Sequence, residues 1–128
     1  MKLIYPAIFH KENDSVWVEF PDLPGCHSCG DAIKDALENA QEALEGYAIV
    51  LLEDGKALPE PSDITGMAAP DDGFVSLVET DLSGYLLRSK AVKKTLTIPS
   101  WLNDQATSKG INFSAVLQDA LVHACGLM

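Results

Sequence analysis

Residues 92–102 read VKKTLTIPSWL. Val92, Lys94, Leu96 and Ile98 fall on one face of an extended segment, and Lys93, Thr95 and Thr97 on the other, which is the period of a strand. Pro99 then opens a helix, because proline at the first helical position gives up no hydrogen bond. Trp101, Leu102 and Ala106 give this helix an apolar stripe, and Gly110 ends it in a left-handed cap. Asn112 or Ser114 can cap a second helix whose apolar face is Phe113, Val116, Leu117, Ala120, Leu121 and Ala124. The plan is strand, helix, helix.

One copy of that plan cannot stand alone, since a single strand has no partner and two short helices bury too little surface. Pairing the strand with a two-fold mate sets Leu96 and Ile98 over a four-helix core with Trp101, Leu102, Val116, Leu117, Ala120 and Leu121. Lys93, Thr95 and Thr97 then remain on an exposed two-stranded ribbon of a size that fits the major groove of DNA. Residues 92–126 resemble the ribbon-helix-helix family. The resemblance implies that Lys93, Thr95 and Thr97 read bases, and that the backbone at Asn112, Phe113 and Ser114 clamps a phosphate at a helix N-terminus. The alternative for the alternating strand is a merely half-buried one.

Charge divides the chain at the same place. The 128 residues carry a net charge of −10, which argues against nucleic acid for the chain as a whole. Residues 1–91 hold 6 Lys+Arg against 17 Asp+Glu, whereas residues 92–128 hold 3 Lys against 2 Asp. The two parts therefore call for different partners.

Working back to the start, KLIYPAIF and VWVEF are β-rich runs separated by the polar HKENDS, so they read as a hairpin. Pro6 belongs where no ladder bond is required. Beyond PDLPGCHSCG the period changes. Ile33, Ala36, Leu37, Ala40, Leu44, Tyr47 and Leu51 recur at steps of three or four, the pattern of an amphipathic helix that starts at Gly30 and Asp31. Residues 56–73 hold three prolines and no sustained period, so they are loop. FVSLVETDL returns as a strand. The expected fold class is α+β: an antiparallel sheet with one long helix over residues 1–82, a connector over 83–91, and the dimeric unit over 92–128.

Taken in order, YPAIF, VWVEFPDLPGC, GDAIKDALENAQEAL, LPEPS and DLSGYL resemble the HicB antitoxin family of HicA/HicB toxin-antitoxin modules over essentially the whole chain. The resemblance implies a partial RNase H-like domain that neutralises a small basic mRNA-cleaving toxin, a C-terminal unit that represses the operon by binding operator DNA, a homodimer through that unit or a tetramer of two such dimers, and no cofactor. Ala32 departs from the family, which often has Thr or Ser there as the helix cap, so Asp31 is expected to take over the capping. Cys29 falls at a variable position.

An enzyme reading needs carboxylates that converge on metal ions ~3.5 to 4 Å apart. Glu19 and Asp22 are the nearest pair, and the first strand has no acid to complete the set; the acids fit better as a surface for a basic partner, with Glu19 and Asp22 as candidate toxin contacts. Cys26, His27 and Cys29 hold too few ligands for a closed zinc site, so they are expected to form a turn with Cys26 as a small buried hydrophobe. Free thiols and the lack of a signal peptide point to a cytoplasmic setting. The longest apolar run, YAIVLL, is far short of the ~20 residues of a membrane span. The runner-up function is a stand-alone ribbon-helix-helix regulator whose first domain senses a ligand.

Overall fold

The computed structural model describes residues 1–88 and 91–127, with the backbone alone for 86–88. Strand β1 (Lys2–Glu12) turns through Asn13 and Asp14 into β2 (Ser15–Glu19), and β3 (His27–Gly30) follows. Helix α1 (Ile33–Glu53) leads to a short 3-10 turn at Ile64–Gly66, and β4 (Gly73–Asp81) completes an antiparallel sheet of order β3-β2-β1-β4. Three helices come after it: α2 (Ser83–Arg88), α3 (Ser100–Ser108) and α4 (Phe113–Ala124).

The hairpin is tighter than the polar run HKENDS suggests. Glu12 pairs with Ser15, which leaves a two-residue connection in which Asn13 takes φ 53°; asparagine tolerates that left-handed conformation better than other side chains. His10, Lys11 and Glu12 are therefore strand residues.

Side-chain alternation assigns the two sheet faces. Leu3, Tyr5, Ala7, Phe9, Val16, Val18 and Val78 are buried, and α1 adds Ala36, Ala40, Leu44 and Ala48 at four-residue intervals. Three of those four are alanine, so the helix backbone comes close to the sheet. At Gly30 the approach is tightest: a Cβ there would lie 2.4 Å from the backbone nitrogen of Ala36. Gly30 is thus a packing requirement, and it ends β3 as much as it announces α1.

Two side chains tie α1 to both edges of the sheet. Asn39 Nδ2 donates to the carbonyl of Cys29 on β3 at 2.8 Å, and Gln41 Nε2 donates to the carbonyl of Glu79 on β4 at 3.0 Å. Each covers part of an edge that would otherwise be open to another strand. Pro6 sits as expected. The bonds Lys11 N–H to Asp72 and Leu82 N–H to Met1 set the odd-numbered groups of β1 toward β4, so Pro6 faces the other side, where β2 pairs only Ile8–Glu12. No ladder bond is lost.

Several expectations need correction. The stretch PDLPGCHSCG is more than a turn, because its last four residues, His27–Gly30, pair with Val16–Glu19. Asp31 does not cap α1; the N-cap is Ala32, in extended conformation and without a side-chain bond. Pro99 is the N-cap of α3 and not its first helical residue. Ser83–Arg88 of the expected connector is helical, while Ser89, Lys90 and Met128 lie outside the described residues. Residues 91–99, whose alternation predicts a strand, form none in the single chain.

Candidate functional site

The two acids singled out near the hairpin serve different elements. Glu19 closes β2 on the helix-free face of the sheet, where its Oε1 lies 3.2 Å from His10 Nε2. Antiparallel pairing puts His10 directly opposite Trp17, and the two rings stack with centroids 3.8 Å apart and planes 8° from parallel. Asp22, by contrast, is used internally: one carboxylate oxygen accepts from the backbone N–H of Ser62 at 2.9 Å and the other from the Ser62 hydroxyl. The stacked pair is absent from the sequence-level candidates. A two-residue turn at Asn13-Asp14 is the signal that would have placed His10 across from Trp17.

The cysteines do not act together. Cys26 is buried and Cys29 is exposed on β3. Burial pushes the Cys26 thiol up to about 11, which keeps it protonated and poorly nucleophilic at neutral pH. Among the described residues, no three His, Cys, Asp or Glu side chains converge in a metal-binding arrangement. Tyr5, whose hydroxyl donates to the carbonyl of Pro59, is also held above its ordinary value, first by burial and then by the negative charge of Asp22.

The C-terminal candidates lie on an open surface. Lys93, Thr95 and Thr97 are exposed in a segment without regular secondary structure. Asn112 caps α4, its side-chain oxygen accepting from the N–H of Ala115 at 3.1 Å, and Gly110 has φ 67°, so the expected left-handed end of α3 is present. The first amides of α4, those of Phe113 and Ser114, have no partner within the helix. Neither α3 nor α4 buries a residue. Leu96 is 62% exposed, Trp101 65%, Val116 55% and Leu121 53%, with Ile98 and Leu102 also exposed, Ala120 likewise, and Leu117 intermediate. So many open apolar side chains on two helices and the segment before them exceed the scattered exposure usual on a surface. No described helix is long and apolar enough to cross a membrane.

Comparison with known proteins gives a consistent family. A family model described as HicB-like antitoxin of bacterial toxin-antitoxin systems matches residues 5–120. An uncharacterised 14.9 kDa protein of the rep-hol intergenic region of Haemophilus phage HP1 is 37% identical over 103 residues, covering 78% of this chain and 76% of the relative. The crystal structure of the Burkholderia pseudomallei antitoxin HicB superposes with a TM-score of 0.68 at 30% identity, over 95% of this chain and 98% of that one. A chain of a toxin-antitoxin complex from Streptococcus pneumoniae gives 0.64 at 32% identity, over 97% and 99%.

Proposed function

The chain belongs to the HicB-like antitoxin family of bacterial toxin-antitoxin systems, and from that premise we propose that it binds and inhibits a small basic mRNA-cleaving toxin through residues 1–82 and represses its own operon through residues 92–128. In this reading the first part is a partial RNase H-like domain without nuclease activity. The second is a ribbon-helix-helix dimer in which Lys93, Thr95 and Thr97 meet base edges and the start of α4 meets a phosphate.

One observation carries the reading. Among the described residues, every buried apolar side chain lies between Leu3 and Leu82, while from Val92 onward none is buried and most are exposed. An apolar face left this open gains its core from a second copy in this reading. The acidic excess falls on the part with a complete core, whereas residues 92–128 hold 3 Lys against 2 Asp. An acidic surface favours fast encounter with a basic protein, whereas only the less acidic part can approach phosphate without strong repulsion.

The test separates the two activities. A fragment ending at Leu82 should rescue cells that express the toxin and should not shift operator DNA. The full chain should do both. Rescue by the C-terminal fragment alone would move toxin neutralisation to the other end of the chain.

A further inference from the structure

The helix-free face of the sheet holds an aromatic and acidic platform at its β1-β2-β3 end. The strand register sets Cys29, Trp17 and His10 side by side across three strands, with His27, Glu19 and Ile8 in the adjacent row. The neighbours Val16 and Val18 turn to the core, so Trp17 and Glu19 point away from it. Trp17 is half-buried and His10 covers one of its faces. The Glu19 side chain keeps 43% of its surface open, and its one side-chain hydrogen-bond partner among the described residues is the His10 ring. No Lys or Arg stands in either row.

A flat ring beside an open carboxylate is the combination that recognises a guanidinium. The planar cation stacks on the indole, and its N–H fork reaches the carboxylate. Charge selects the partner: residues 1–91 hold 17 Asp+Glu against 6 Lys+Arg, so a basic protein is drawn to this part of the chain and a phosphate backbone is repelled. We infer that the Trp17–His10–Glu19 platform is the docking point for an arginine of the basic toxin. The inference rests on the antitoxin reading and adds to it the face of the sheet and the chemistry of the contact.

Titration calorimetry of the full-length chain with the small basic protein encoded beside it provides the test. Glu19→Lys should weaken binding by about 30-fold or more, and the shape-conserving Glu19→Gln by about tenfold, as for a centrally placed charged contact. Glu42→Lys, on the solvent side of α1, should stay within about threefold, the effect of a rim charge. In fluorotryptophan-labelled protein, one of the two fluorine resonances should shift on binding and lose that shift in Glu19→Gln. Circular dichroism establishes that each variant is folded. Tight binding by the parent and by both Glu19 variants would overturn the platform and leave the antitoxin reading intact. Failure of the parent to bind the basic protein would overturn both, as would binding of a single-stranded RNA oligonucleotide in its place.

Discussion

Asp22 and Ser62 are joined by a two-point bond across 40 residues of sequence, with the backbone N–H and the hydroxyl of Ser62 both donating to the same carboxylate. This bond pins the proline-rich segment after α1 beside the chain that leaves β2. A charged acceptor bonded twice contributes more than a neutral one, but its exposure reduces the gain to about 1 kcal/mol. Asp22→Ala should lower the stability of the full chain by that amount in urea titration. It should leave the affinity for the basic partner within about twofold, because the lost bond is internal. A larger loss of affinity with unchanged stability would restore Asp22 as a direct contact.

Gly30 offers a sharper structural test. A methyl group there meets the backbone of Ala36 at 2.4 Å, and backbone in the first turns of a helix cannot yield as a flexible side chain would. Gly30→Ala should cost about 3 kcal/mol, the upper end for overpacking. Ala32→Ser, two residues on, should be neutral or stabilising, because Ala32 is the uncapped N-cap and serine can accept from an orphan amide. Thermal melts of the two variants should move in opposite directions.

These two positions show which features the sequence could and could not reveal. The long helix was legible because its apolar residues recur at helical spacing over many turns, and the hairpin because its strands are β-branched and aromatic. Strand β3 was not. His27, Ser28, Cys29 and Gly30 have little strand propensity, and they are extended because the edge of β2 is there to pair with. The same dependence acts in reverse at residues 92–98, whose alternation is clear but which pair with no strand of their own chain. The His10–Trp17 stack depended on a hairpin register that the polar run between the strands obscured. Asp22 looked like a surface acid, and its bond to a loop 40 residues away has no local signature.

Acid should act through Asp81. Its Oδ1 accepts from the hydroxyl and the backbone N–H of Ser83, at 2.6 and 2.9 Å, so the carboxylate is bonded at the start of α2. These bonds hold its pKa down to about 2, below the ~3.9 expected in the unfolded chain. The depressed value means that the ionised form favours the folded state. Its stabilisation is fully present above about pH 4 and is lost as pH falls through about 2. Asp81→Asn should therefore melt below the parent at pH 7, and the difference should vanish near pH 2. A difference of the same size at both pH values would show that the carboxylate charge has no part in it.

The last prediction concerns the C-terminal segment, where dimerisation and DNA reading can be separated. Leu121 is an exposed apolar residue of α4, so Leu121→Glu should place a charge in the proposed interface and convert the chain to a monomer in sedimentation equilibrium. Its effect on residues 1–82 should be small, since no residue of α4 belongs to the buried core. Operator binding should fall with the dimer, because a ribbon needs two strands. Thr95→Ala with Thr97→Ala is the complementary change. Both side chains are exposed, so the dimer should persist while specific operator affinity falls by about 1 to 3 kcal/mol for each lost base contact at fixed salt. Binding to unrelated DNA should hardly change, since it depends on the lysines and the backbone amides. An unchanged operator affinity in the double variant would show that the segment from Val92 to Ile98 is not the reading element.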